Sequence, residues 1–193
     1  MSIELVVGPM FSGKTSEMFR RVRRRAAARE KCMIVRWHRD DRYSGTDAAT
    51  HDGVYMRAVG AEFLSTVETA DVMVIGIDEG QFYSDLYSIA IKWRNMGIHV
   101  IIAALDGTFE RKPFGQTLML VPEASSVIKL TAICVLCGKD APFTRRINTD
   151  NHETVVIGGA DKYAASCYAC LARPLLKRSV DEQQERLKLL ESK

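Results

Sequence analysis

Eight residues, Gly8-Pro-Met-Phe-Ser-Gly-Lys-Thr15, constrain this chain more than any other feature, because they fill the pattern G-x-x-x-x-G-K-[ST] completely. Glycines at this spacing let backbone N–H groups turn inward and approach phosphate oxygens without a Cβ in the way. Lys14 brings a point charge to the β- and γ-phosphates, and the Thr15 hydroxyl suits Mg²⁺. The surrounding sequence has the required form. Ile3–Val7 reads as a short strand, and Gly13–Arg29 as a helix with Met18, Phe19 and Val22 as its apolar stripe. The positive end of that helix faces the same anion.

The next elements extend the pattern. Cys32–Trp37 reads as a strand and His38–Gly53 as a polar, exposed loop. Asp71–Asp78 is nearly all apolar and β-rich, as a buried parallel strand should be. Ser84–Met96 has helical spacing and stops at Gly97, a candidate C-cap, and Ile98–Ala104 is another buried strand. This order predicts an α/β core, residues 1–125, with a mostly parallel P-loop NTPase-type sheet flanked by helices. The strand ending in Asp78-Glu79 has Walker B form. Asp78 is the candidate Mg²⁺ carboxylate, and Glu79 the candidate general base. These motifs leave open whether Glu79 activates water, as in an ATPase, or a substrate hydroxyl, as in a kinase.

Past Val121 the pattern changes. Cys134-x2-Cys137 and Cys167-x2-Cys170 form two knuckles separated by 29 residues. Four thiolates can close a tetrahedral Zn²⁺ site, which makes such a site structural. Unrelated cysteine pairs and a redox site are the alternatives. Val127–Cys134 and Thr154–Ile157 read as short strands in a small β-rich subdomain, residues 126–173. The tied loop carries Phe143-Thr-Arg-Arg146 and Val155–Tyr163, whose Gly158-Gly159 pair invites close backbone approach to a ligand. It reads as a substrate lid or as a zinc-ribbon interaction module. Cys32 reads as a buried small hydrophobe, and Pro174–Lys193 as a charged tail that forms a surface helix or frays.

Charge discriminates little. The net charge is +3, but Met1–Lys31 holds eight Lys/Arg against three Glu, concentrated in Arg20, Arg21, Arg23, Arg24 and Arg25. Such a run is a solvated helix face or a nucleic-acid patch. A P-loop ATPase that binds nucleic acid, and a non-catalytic nucleotide-gated module, therefore stand beside the kinase reading. No apolar stretch reaches the ~18 residues of a membrane span, and no signal arrangement opens the chain, so the expected location is cytoplasmic, with the nucleus as the alternative.

Taken together, several strings resemble the type II thymidine kinases, the cellular, zinc-containing family. They are Gly8–Thr15, Arg42-Tyr43, Thr50-His-Asp52, Gly76–Phe82, Ala103–Phe109, Arg111–Gly115, Lys129–Ala132, both cysteine pairs and Gly158–Tyr163. The likeness spans Ile3 to Cys170. It implies transfer of the ATP γ-phosphoryl group to the 5′-hydroxyl of thymidine, and of deoxyuridine, with Glu79 as the base. It implies Mg²⁺ on Thr15 and Asp78, and ATP contacts from Gly8, Pro9, Met10, Phe11, Ser12, Gly13, Lys14, Thr15, Asp40, Asp41, Arg42, Asp78, Gly80 and Gln81. Thymidine would meet Met10, Phe82, Leu105, Phe109, Thr144, Thr154, Val155, Val156, Ile157, Gly158 and Tyr163. Cys134, Cys137, Cys167 and Cys170 would hold structural Zn²⁺. The family also implies a homotetramer or homodimer, feedback by thymidine triphosphate, and no nucleic-acid or membrane partner.

Overall fold

The computed structural model describes residues 1–38, 47–49, 55–147 and 158–173. The chain divides into two compact units. The first holds residues 1–7, 14–106 and 114–129; the second holds 8–13, 107–113 and 130–193. The second unit thus includes the loop Gly8–Gly13 and a segment of the region read from sequence as the 1–125 core.

The first unit is built on a seven-stranded sheet. Its strands are β1 (Ile3–Gly8), β2 (Cys32–Trp37), β3 (Asp47–Ala49), β4 (Tyr55–Ala61), β5 (Val74–Ile77), β6 (His99–Leu105) and β7 (Ser126–Lys129), ordered β3-β4-β2-β5-β6-β1-β7. Six strands run parallel, and β3 pairs antiparallel with β4 through Ala48↔Met56. The sequence reading left β3 in a polar loop and did not anticipate β4. An edge strand needs only one partner and tolerates a polar sequence, so periodicity conceals it. The strand read over Asp71–Asp78 narrows to Val74–Ile77, because Thr69–Val72 closes a turn with Asp71 at φ 62°.

Alternation along the strands makes two cores. Leu5, Met33, Val35, Ile75, Ile77, Val100 and Ile102 face one way and pack with Leu86, Ile89, Ala90 and Trp93 of helix α2 (Leu86–Asn95). Ile34, Val74, Ile101 and Ala103 face the other way, against Met18 and Val22 of helix α1 (Lys14–Ala27). Each fully buried side chain of this kind contributes about 1.5–3 kcal/mol. Gly76 on β5 permits the close approach of α1: a Cβ there would lie 2.5 Å from Met18 Sδ and 2.9 Å from Val22 Cγ2. Gly97 terminates α2 as its spacing predicts, at φ 96° with its N–H donated to Arg94 O. The arginines of α1 are engaged in part within the unit. Arg20 and Arg21 bond Glu17, Arg21 also bonds Glu4, and Arg25 pairs with Glu30 at 2.9 Å.

Among its described residues, the second unit has short strands and one 3₁₀ turn, Tyr168–Cys170. β8 (Ala132–Ile133) pairs with β9 (Asp140–Ala141), and β10 (Phe143–Arg146) with β11 (Tyr163–Ser166), both antiparallel. The strand read over Val127–Cys134 is therefore two strands. β7 joins the parallel sheet beside β1, and β8 starts a different sheet. The buried cluster of this unit is Ala132, Cys134, Ala141, Ala165, Cys167 and Cys170, with Phe11 and Leu136 against it. The strand read over Thr154–Ile157 and the tail Pro174–Lys193 lie outside the described residues. Among the described residues, no helix is long and apolar enough to cross a membrane.

Candidate active site

In the first unit, β5 delivers Asp78 and α1 delivers Thr15. The Asp78 N–H donates to Val35 O at 2.8 Å, so the β2–β5 pairing holds the strand end in place. Asp78 is 2% exposed. Its Oδ1 accepts the Thr15 hydroxyl at 2.9 Å and the Glu79 N–H at 3.0 Å. The donor set fits Mg²⁺. A hydroxyl and a carboxylate in contact, both hard oxygen ligands, are the pair that holds this ion beside P-loop phosphates.

Glu79 follows at φ 53°, ψ 41°, a left-handed conformation uncommon for a residue with a side chain. It begins the 3₁₀ turn Gly80–Phe82, in which the Phe82 N–H donates to Glu79 O at 3.1 Å. Gln81 Nε2 donates to Glu79 Oε2 at 2.6 Å. Phe82 packs in an aromatic group, its ring centroid 5.6 Å from those of Trp37 and Phe114. Leu105 ends β6.

In the second unit, the Met10 N–H of the phosphate loop donates to Thr144 Oγ1 at 3.0 Å, and the Ser12 hydroxyl donates to Pro9 O at 2.8 Å. Phe11 sits at φ 66° with its ring against the cysteine cluster. Thr144 on β10 is 6% exposed, so this bond between loop and strand is shielded from water. Two residues along the same strand, and so on the same face, lies Arg146, which the sequence reading names only within Phe143–Arg146 and to which no site role attaches. Its guanidinium stands 4.2 Å over the Phe109 ring and 5.8 Å from the Tyr163 ring centroid, and Nη2 reaches Tyr163 Oη at 3.4 Å. The period-2 spacing from Thr144 is the signal that would have found it. Asp40, Asp41, Arg42, Thr154, Val155, Val156 and Ile157 lie outside the described residues; Gly158 lies inside them, before Tyr163 on β11.

The four cysteine sulfurs of this unit lie within 4.8 Å of one another, and Cys137 Sγ is 3.6 Å from Cys167 Sγ. A disulfide needs a sulfur separation of ~2.05 Å, whereas tetrahedral Zn²⁺ with Zn–S near 2.3 Å sets sulfurs about 3.8 Å apart. All five cysteines are free thiols, so the geometry fits a metal held by four thiolates and not a pair of disulfides. Burial raises the Cys134 thiol, but backbone N–H groups of Cys167, Leu136 and Cys137 outweigh it and bring it down to about 6. The Arg145 guanidinium braces the knuckle by donating to Cys170 O at 3.2 Å. Cys32 is different: burial, with Glu30 nearby, pushes its thiol up to about 11, so it is a packing residue.

The family model described as "Thymidine kinase" matches residues 1–171. The chain is 50% identical over 170 residues to a cytosolic thymidine kinase of Homo sapiens, a match covering 87% of this chain and 72% of that one. It is 49% identical to the cytosolic thymidine kinase of Gallus gallus, covering 87% and 75%. It is 46% identical to the thymidine kinase of Variola virus, covering 87% and 95%. With a family match over nearly its whole length and relatives at this identity, the chain belongs to the thymidine kinase family.

Proposed function

We infer that this chain is an ATP:thymidine 5′-phosphotransferase that makes thymidine monophosphate in pyrimidine salvage. The observation that carries the chemistry is the bond between the P-loop hydroxyl of Thr15 and the β5 carboxylate of Asp78, with Glu79 next in the chain. In the reaction, the thymidine 5′-oxygen gives its proton to the Glu79 carboxylate and forms a bond to the γ-phosphorus. The bond from that phosphorus to the β–γ bridging oxygen breaks, and ADP leaves. Lys14 and the backbone N–H groups of Gly8–Gly13 hold the phosphates, and Asp40, Asp41 and Arg42 are assigned to the ATP side. Mg²⁺, when bound, neutralises charge on the phosphate oxygens, and Thr15 and Asp78 are the residues to hold it.

Catalysis of this kind is mainly positioning and charge stabilisation. The first unit is assigned Phe82 and Leu105 as thymidine contacts. The second is assigned Met10, Phe109, Thr144, Tyr163 and the stretch from Thr154 to Gly158. Aromatic rings suit a flat pyrimidine, and main chain at Gly158-Gly159 suits its polar edge. Zn²⁺ on Cys134, Cys137, Cys167 and Cys170 is structural in this reading, because four thiolates leave no open position. A homotetramer or homodimer, inhibition by thymidine triphosphate and a cytoplasmic location complete the proposal. The relatives named as cytosolic support the location.

A panel of nucleosides with labelled ATP and Mg²⁺ tests this. Thymidine and deoxyuridine should be monophosphorylated and purine nucleosides left almost untouched. Hydrolysis of ATP alone, or phosphorylation of thymidine monophosphate only, would overturn it.

A further inference from the structure

Gln81 is one of the few buried polar side chains of the first unit, 3% exposed, and its side-chain amide is committed at both ends. Oε1 accepts the Leu105 N–H at 2.8 Å, and Nε2 donates to Glu79 Oε2 at 2.6 Å. The orientation of the amide is forced by its partners. A backbone N–H can only donate, so the atom facing Leu105 is the oxygen, and the NH₂ faces the carboxylate.

The backbone of Gln81 is held as well. Gly115, at φ 57°, lies so close that a Cβ there would come 2.3 Å from Gln81 O and 3.2 Å from its Cα. A side chain at 115 is excluded by both the conformation and the contact. On the neighbouring residue, Gly80, a Cβ would lie 2.8 Å from Ile102 Cγ2 on β6. The 3₁₀ turn is therefore pressed against the end of β6 on one side and against residue 115 on the other.

We propose that Gln81 is a positioning residue: it fixes the orientation of the Glu79 carboxylate by tying it to the main chain at Leu105, and does not serve ATP as a phosphate contact. This rests on the reading of Glu79 as the base. Glu79 stands in a left-handed conformation at the head of a short turn, and a carboxylate there has several rotamers open to it. A charge-assisted bond of 2.6 Å from a donor that is itself immobilised selects one of them. The same bond links the base to the β6 end that carries Leu105, a residue assigned to the thymidine side.

The test is steady-state kinetics on the full chain with thymidine and ATP-Mg²⁺. Gln81→Met keeps the volume and removes both bonds; Gln81→Asn keeps the amide but is one methylene too short to span Glu79 and Leu105. Both should lower kcat, on the order of 10- to 100-fold for the first and less for the second, since sub-ångström misplacement of a reacting group has effects of this size. KM for ATP and for thymidine should stay within about 3-fold, because ground-state binding is untouched. In a Glu79→Gln background, Gln81→Met should cost no more than roughly 2-fold further, as expected when one residue acts through the other. A purely structural role would lower the melting temperature and reduce the rate equally in both backgrounds. Unchanged kcat, an effect confined to KM for ATP, or additive losses in the double variant would each overturn the proposal. If Gln81→Met does not fold, the same comparisons with Gln81→Asn decide. A wild-type chain that fails to phosphorylate thymidine sinks the underlying reading and this inference together, whereas an active wild type with unaffected variants sinks only the inference.

Discussion

The two compact units are held together by different physics. The first buries branched aliphatic and aromatic side chains on both faces of a parallel sheet, Leu5, Ile75, Ile102 and Trp93 among them. Among its described residues, the second buries four alanines, three cysteines and Tyr163, with Phe11 and Leu136 partly covered. Four methyl groups, a few thiols and one aromatic ring are little apolar surface to set against the entropy of ordering several short strands. The second unit is therefore the one expected to depend on its four-cysteine cluster. The difference also separates kinds of residue. In the first unit the candidate chemical groups, Asp78 and Glu79, stand at the end of a buried strand; in the second, Thr144, Arg146 and Tyr163 stand on the antiparallel pair β10–β11.

Withholding zinc is the strongest way to break this comparison. Chelation, or Cys134→Ser, should abolish hydrogen-exchange protection at β8–β11 while β1, β5 and β6 keep theirs. Structural zinc supplies apparent free energies of about 10 kcal/mol or more at neutral pH. Metal analysis should find one zinc per chain; finding none, or equal loss of protection in both units, would mean that the second unit folds on its side chains alone.

The next effect belongs to the first unit. Glu79→Gln should lower kcat by about 10²–10⁴-fold while ATP and thymidine still bind, as loss of a general base does. Equilibrium binding beside turnover measures this, and an unchanged kcat would remove Glu79 from the chemistry. Gly76→Ala then probes the sheet–helix packing with a smaller effect. Its added methyl meets Met18 Sδ and Val22, so unfolding free energy should fall by about 1–3 kcal/mol. Denaturant titration should show that loss in the first unit, with metal binding unaffected.

The smallest effect is electrostatic. Arg20 first, and Arg21 second, hold the Glu17 carboxyl down at about 2, below its ordinary range near 4.3. Its contribution is therefore complete above about pH 4.3 and disappears as pH falls through about 2. The pair with Arg20 is exposed and screened, so Glu17→Gln should cost about 0.5 kcal/mol at neutral pH and less at pH 2, where the carboxyl is about half protonated. Melting curves of both proteins at the two pH values check it.

Much of the donor side was legible because its determinants are local. A strand, a phosphate-binding loop and a helix are consecutive in the chain, and the apolar run before Asp78-Glu79 announces a buried strand directly. The cysteine pairs were legible for the same reason, since ligand spacing is a sequence property. Residues joined through space were not. Nothing local announces that Thr144 receives the Met10 N–H, that Arg146 lies over Phe109, or that Gln81 spans Glu79 and Leu105. β3 escaped because a three-residue edge strand is too short to show alternation, and β4, an inner strand, because Arg57 and Gly60 break its apolar run.

The sequence by itself determined the class of chemistry, the parallel sheet and the four thiols, because each rests on residue types at short fixed separations. Only the tertiary structure decided which side chains restrain one another. That Thr15 meets Asp78, 63 positions away, and that Leu105 anchors Gln81 from 24 positions away, follows from the strand order β2-β5-β6 and the packing of α1 on it. Distances of that kind are set when buried strands choose their neighbours, and no window along the chain contains them.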